Sequence, residues 1–339
     1  MPKTGAFCDA IILGKLNRET IVNRNKELFL DQPGGNLLYT GYGFALWGKT
    51  AGLVSRIGSD CPDEWLDDFA KNSLDTLGIT KAPANCDSRR YFLVDSKNEV
   101  SEENPQKYFS SLNLPLPKVL LGYETDPRNI DNRKQGTEYT IRPENIPDEY
   151  LESRFLALCP VDFLTHNMIP AFFRARTGGE VFIHASSGYS HSSFFFDFPS
   201  LVNGASMVLI SENNSKRLFL GKLDDTWQIA EAIASYGIEV VTVSRKNGGY
   251  DTLDAVHKKK YHIPSYPVNI IDPIGVDDAF FGGFLAGYLT SFDPLYASIT
   301  GSATASVKNE GSTPKFLLGI LKDLLKARVD YIKEIVECE

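Results

Sequence analysis

From residue 155 onward the chain alternates short apolar runs with helical stretches, and no other feature limits its fold so tightly. Residues 155–158 (FLAL), 180–183 (EVFI), 207–210 (MVLI) and 239–243 (EVVTV) read as strands. Between them the periodicity predicts helices over 165–174, around 194–202, and over 215–220 and 225–236. Apolar strands regularly separated by helices imply β-α-β repetition. The expected fold class is therefore α/β, a central mostly parallel sheet with helices on both faces. Ligands of such sheets bind outside the carboxyl ends of the strands, which singles out the loops after Ile183, Ile210 and Val243.

The stretch 268–288, VNIIDPIGVDDAFFGGFLAGY, reads as strand, glycine-containing turn and helix. Ala279, Phe280, Gly283, Phe284 and Gly287 recur three or four apart, so its glycines let one helix face approach a neighbour closely. Such a turn directs unpaired amides and the positive helix end at whatever lies above it. Asp277 and Asp278 fall in the first helical turn. There a carboxylate either complements the helix dipole or accepts a proton beside a bound phosphate.

The wording from Asp272 to Phe284, DPIGVDDAFFGGF, resembles the D-[TP]-T-G-A-G-D-x-F-x-G-G-F signature of the ribokinase-like (PfkB) carbohydrate kinases. The resemblance implies that Asp278 is the catalytic base. It also implies that Gly275, Val276 and Asp277 form an anion hole for the transferred phosphoryl group. Two positions depart from the signature: Ile274 replaces a Thr, and Asp277 replaces a Gly. The Gly would permit an unusual backbone angle and keep the hole free of side chain. In an active kinase Asp277 is therefore expected to turn away, pair with Arg245 or Lys246, or ligate a cation.

Further segments resemble family motifs in the same order. Gly34, Gly35, Asn36 and Tyr39 match G-G-x-x-x-N with Tyr39 in place of the Asn, and the resemblance makes them substrate-binding. Glu19 stands where the family carries an Asp that clamps two sugar hydroxyls; otherwise it is a surface residue of a lid strand. Residues 51–57 read as a strand, Arg56 to Asp60 resembles a GxxGxD turn, and residues 63–77 read as an amphipathic helix on Trp65, Phe69 and Leu77. Residues 82–147 carry seven prolines and little periodicity. By resemblance the chain is a single ribokinase-like domain over 1–339, with a small β lid from about 15–33 and 85–125. Arg89 and Arg90 lie within it, either reaching an anionic substrate or simply on the surface.

On the nucleotide side the motifs are weakened. His184 takes the place of an Asp in a DxQG segment. Ser211-Glu212-Asn213-Asn214 stands for S-E-x-E, so Asn214 would act on Mg²⁺ only through a bound water. Residues 242–248 replace T-x-G-x-x-G, with Ser244 at the first Gly. Residues 302–307 followed by Gly311 resemble the adenine-side segment, and 315–336 read as a closing helix. The implied nucleotide-binding residues are Ser211, Ser244, Lys246, Gly248 and Ser306. ATP and Mg²⁺ are the implied cofactors.

Composition narrows the function. A chain of 339 residues with net charge −8 and one tight basic cluster, Lys258 to Lys260, disfavours a nucleic-acid partner. No run of eighteen apolar residues is present, and none is expected to cross a membrane. Five scattered cysteines and five dispersed histidines suggest reduced thiols, a cytoplasmic location and no zinc site. No G-x-G-x-x-G follows the first strand, which argues against a dehydrogenase. The resemblance implies an ATP-dependent phosphotransferase acting on a hydroxyl of a sugar-like or nucleoside-like small molecule. The alternative is a homologue that binds ligand or nucleotide without efficient transfer, suggested by Glu19, Asn214, Ser244 and Asp277 together. The oligomeric state is left open, a dimer included.

Overall fold

The computed structural model describes residues 8–82, 87–102, 104–125 and 130–339. Strand β1 (Ala10–Leu13) leads into β2 (Asn17–Val22) and β3 (Leu28–Gly34), followed by α1 (Asn36–Ala45). Then come β4 (Ala51–Ile57), α2 (Asp63–Lys71), β5 (Leu74–Lys81), β6 (Arg89–Val94), β7 (Val100–Ser101) and α3 (Pro105–Ser111). The alternating part runs β8 (Phe155–Leu158), α4 (Phe163–Thr177), β9 (Glu180–His184), α5 (Phe198–Val202) and β10 (Met207–Ser211). It continues through α6 (Glu212–Leu218), α7 (Thr226–Ala234) and β11 (Val240–Ser244). A hairpin, β12 (Tyr250–Asp254) and β13 (Lys259–Ile263), precedes α8 (Val276–Ser291), α9 (Pro294–Asn309), α10 (Lys322–Ile335) and β14 (Glu337–Cys338).

Among the described residues, ten strands form one sheet in the order β14-β13-β12-β11-β10-β9-β8-β1-β4-β5. Pairing is parallel from β11 across to β5 and antiparallel from β11 to β14. The pleat sorts the core in two. Ile12, Ala157, Phe182 and Leu209 join one cluster with α1, α8 and α9, while Ile11, Leu158, Ile183 and Ile210 join another with α4, α5 and α7. Both faces are thus covered, as the uninterrupted apolar strands require. Helix α8 lies against α1 and α9 at very short range. A Cβ on Gly282 would meet Thr40 O at 2.1 Å, and one on Gly283 would meet Thr304 Oγ1 at 2.3 Å.

A second sheet, β3-β2-β6-β7, stands over the carboxyl end of β1. Its inner residues Ile21, Phe92 and Val94 close on Tyr39 of α1 and on Ile274 of the turn before α8. Ile274, a departure from the signature, is therefore a packing residue that joins this small sheet to the turn.

The structure differs from the sequence reading in four places, one being the closing helix expected over 315–336: Pro314–Gly319 is a 3-10 segment and the α-helix begins at Lys322. Residues 268–271 form no strand: Ile271 donates to Asn309 O and accepts from Arg24 N–H, so its backbone is satisfied outside any sheet. The helix expected over 63–77 stops at Lys71; Ser73 takes φ +66°, and Leu77 lies in β5 with about half its surface exposed. The hairpin β12–β13 has no counterpart in the sequence reading. Of the expected lid range, residues 85, 86 and 103 lie outside the described residues, as do residues 6 and 7 of the first strand, which the sequence places at 6–13.

Candidate functional site

The turn that starts α8 is held by its own aspartate. Asp272 Oδ1 accepts the Ile274 N–H at 2.8 Å, and the chain then reverses at Gly275, φ +72°. A Cβ on Gly275 would lie 2.3 Å from the Tyr39 ring, so both the backbone angle and the space demand glycine. Val276 N–H reaches Pro273 O at 3.3 Å, whereas the amides of Gly275 and Asp277 have no acceptor among the described residues. The result is a set of unpaired donors at the positive end of a sixteen-residue helix.

The two adjacent aspartates diverge because successive helix residues project about 100° apart. Asp278 is partly open, and its Oδ1 lies 3.0 Å from His184 Nδ1 at the carboxyl end of β9. Thr40 Oγ1 donates to the Asp278 carbonyl and braces the first turn against α1. Asp277 instead turns into the protein. Ser244 Oγ donates to its Oδ2 at 2.8 Å and the Tyr250 hydroxyl to its Oδ1 at 3.2 Å. Burial pushes the Asp277 carboxyl above its ordinary value, opposed by the nearby His184 charge and the Ser244 bond.

Of the three outcomes expected for Asp277 the structure shows the first: it turns away, and it pairs with neither Arg245 nor Lys246. Arg245 reaches the buried Asp251 at 3.3 Å and His262 at 3.2 Å, and Lys246 gives its backbone N–H to Glu212 Oε2 at 2.9 Å. Nor does Asp277 need an unusual backbone, since it lies inside α8 without a positive φ.

Glu19, expected to face the acceptor or to lie exposed on a lid strand, is fully buried. Its Oε1 accepts the Gly35 N–H at 2.7 Å and its Oε2 accepts the Tyr39 hydroxyl at 2.9 Å. Both oxygens that would clamp a diol are engaged within the protein. Burial raises its pKa from 4.5 to about 7 against those two bonds. Gly34 is required by this carboxylate, because a Cβ there would sit 2.1 Å from Glu19 Cδ. Asn36 takes the Lys15 N–H on Oδ1 at 2.8 Å and donates to Pro160 O at 2.6 Å, tying together the ends of β1 and β8. Arg89 is held by Asp87 and two carbonyls, and Arg90 pairs with Glu102, so neither stands ready for an anion.

The residues expected to bind nucleotide are partly engaged within the protein. Ser211 Oγ caps α6 by accepting the Asn214 N–H at 3.2 Å. Gly248, φ +92°, and Gly249, φ +83°, shape a tight turn after β11. Ser244 is bound to Asp277. Ser306 donates to Ala303 O at 2.6 Å and accepts from Arg328 at 2.9 Å, so its hydroxyl serves α9 and α10. Among the described residues no three or more His, Cys, Asp or Glu side chains gather where they could hold a metal. With an uncharged Asn214 as well, the residues present do not fit a protein-held Mg²⁺.

Sequence reasoning noted His184 as a departure without seeing its partner, and it missed Tyr250 and Lys308 altogether. A histidine ending a strand that faces the ligand edge was the available signal for His184.

Residues 171–314 match the model of the pfkB family carbohydrate kinases. Over that segment the chain is similar to the PfkB carbohydrate kinases. That PfkB segment contains His184, Ser244, Asp278 and Lys308, whereas Glu19 and the Gly34-Gly35 turn precede it. A cytidine kinase of Thermococcus kodakarensis is 22% identical over 282 residues, covering 83% of this chain and 88% of the relative. Two solved structures share this fold. An Escherichia coli protein described as a ribokinase II, in complex with ATP and Mg²⁺, superposes with TM-score 0.67 at 15% identity, over 96% of this chain and all of that one. The aminoimidazole riboside kinase of Salmonella enterica, complexed with aminoimidazole riboside and an ATP analogue, gives 0.64 at 16% identity, over 94% and 99%.

Proposed function

We propose that the protein is an ATP-dependent kinase that phosphorylates a hydroxyl of a sugar-like or nucleoside-like small molecule. The observation that carries this is the placement of the Asp278 carboxylate beside a glycine turn whose Gly275 and Asp277 amides are unsatisfied at the head of α8. The acceptor hydroxyl gives its proton to Asp278 as its oxygen attacks the γ-phosphorus, and ADP leaves with the bonding electrons. His184 holds Oδ1 of that carboxylate, which leaves Oδ2 to take the proton. The turn amides oppose the charge developing on the transferred group. Because Asp277 is tied to Ser244 and Tyr250, its carboxylate does not enter the anion hole. This weakens the alternative of a binding-only homologue, which drew on Asp277 most. Any Mg²⁺ arrives on the nucleotide phosphates, and no step is assigned to a protein-held ion.

A cavity of about 860 Å³, lined by Lys15, Asn17, Arg90, Asp131 and Asp162 among others, lies beside the small sheet. Its size and polarity suit the non-reacting part of a nucleoside-sized acceptor. In this reading β2, β3, β6 and β7 act as the lid of a single domain, and water is excluded when they close. The free thiols of Cys8, Cys61 and Cys159, all buried, suit a reducing cytoplasmic setting.

The test supplies ATP, Mg²⁺ and panels of nucleosides and sugars, following ADP release and the phosphate ester by mass spectrometry. Asp278→Asn should lower kcat by about 10²–10⁴-fold with nucleotide affinity kept. ADP release that no acceptor stimulates, or a variant keeping more than about a tenth of the rate, would refute the assignment.

A further inference from the structure

Lys308, in the last turn of α9, is fully buried, yet it is not paired in the ordinary way. Its ammonium donates to the carbonyls of Asp272 at 3.1 Å and Gly311 at 2.9 Å. A third oxygen, Asp272 Oδ2, lies 3.6 Å away and has no hydrogen-bond partner of its own. Three oxygens around three N–H donors suit an ammonium. A neutral amine would aim its lone pair at one of them. Burial pulls the Lys308 pKa down, and the Asp272 and Glu19 carboxylates oppose it. A charge enclosed this completely is costly unless its partners answer it, so a purely space-filling role would be served better by an apolar side chain.

The partners are what give the residue meaning. Asp272 opens the turn that ends at Gly275, and its other oxygen holds the Ile274 N–H. Lys308 also lies 5.3 Å from the centre of the Tyr39 ring, the same ring that fills the space beside Gly275. Tyr39 in turn holds Glu19 under the small sheet.

Resting on the kinase reading above, we propose that the Lys308 ammonium is a built-in cation of the phosphoryl site. It fixes the Asp272–Gly275 turn so that its amides face the transferred group, and it adds positive potential behind them. Lys308 touches no reactant; it is a positioning residue.

The experiment compares the wild type with Lys308→Ala and with the double variant Asp272→Asn/Lys308→Met, which removes both buried charges at similar volume. Readouts are kcat, the ratio of ADP to ATP dissociation constants by calorimetry, and the thermal midpoint. Lys308→Ala is also titrated with potassium, ammonium and methylammonium chlorides, with tetramethylammonium chloride matching ionic strength. The double variant should melt near the wild type, lose kcat roughly 10²-fold and cease to prefer ATP over ADP. Lys308→Ala should recover at least about tenfold with a small cation and not with tetramethylammonium. The proposal is overturned if the double variant keeps kcat and ATP preference within about threefold, or if no small cation restores Lys308→Ala. If Lys308→Ala does not fold, the double variant decides alone. ATP preference is a binding measurement. A wild type that turns over no acceptor therefore refutes the kinase reading while leaving Lys308 to be judged by that preference, and a wild type without the preference overturns this proposal.

Discussion

Replacing Glu19 by Gln tests whether this carboxylate serves the architecture or the acceptor. Its folded pKa is raised from 4.5 to about 7 by burial. The folded state therefore holds its proton more tightly than the unfolded chain does. The associated stability is fully present below pH 4.5 and is lost as pH rises through about 7. At about 1.4 kcal/mol per pH unit, that interval corresponds to roughly 3 kcal/mol, an order-of-magnitude figure for a fully buried group. Gln keeps an oxygen for the Gly35 N–H but does not titrate. The difference in unfolding free energy between Glu19→Gln and wild type should thus shift in favour of the variant by about 3 kcal/mol between pH 5 and pH 8. Urea unfolding at four or five pH values measures it. A difference constant to within about 0.5 kcal/mol across that range would refute the reasoning. The same variant should leave acceptor KM within about threefold, because both Glu19 oxygens already have protein partners; a rise of about thirtyfold or more would return Glu19 to the role of hydroxyl clamp.

Two further outcomes follow from the site. Asp277→Gly should leave kcat equal or higher, while costing about 1–3 kcal/mol because the Ser244 and Tyr250 hydroxyls lose their acceptor and the helix gains a glycine. A loss of kcat beyond about tenfold would give Asp277 a positive catalytic part. His184→Gln removes the imidazole that holds Asp278 and should lower kcat about tenfold or more with both KM values little changed. Unchanged kcat in steady-state assays would show that the pairing does not matter to the reaction.

The sequence alone was enough for the fold class, the strands 155–158 and 51–57 and the helix of the DPIGVDDAFFGGF stretch. These depend on periods of two and 3.6 residues and on glycine turns, which are local properties of the chain. It also singled out the glycine turn at Gly275, which the structure shows to need glycine because φ is +72° and the Tyr39 ring lies where a Cβ would be.

What it could not decide was where each charged group would turn. Residues 268–271 look like a strand by composition, but their backbone finds partners in Arg24 and Asn309 instead of a sheet. Asp277 and Asp278 are neighbours with the same side chain, and only packing tells them apart. One meets Ser244, 33 residues earlier; the other meets His184, 94 residues earlier. Glu19 and Lys308 read as ordinary charged residues, yet folding encloses both and makes Tyr39 and Asp272 their partners. A side chain's protonation, availability and role depend on burial and on groups distant in the chain. Those are settled only when the helices and the small sheet close over the carboxyl edge of the large one.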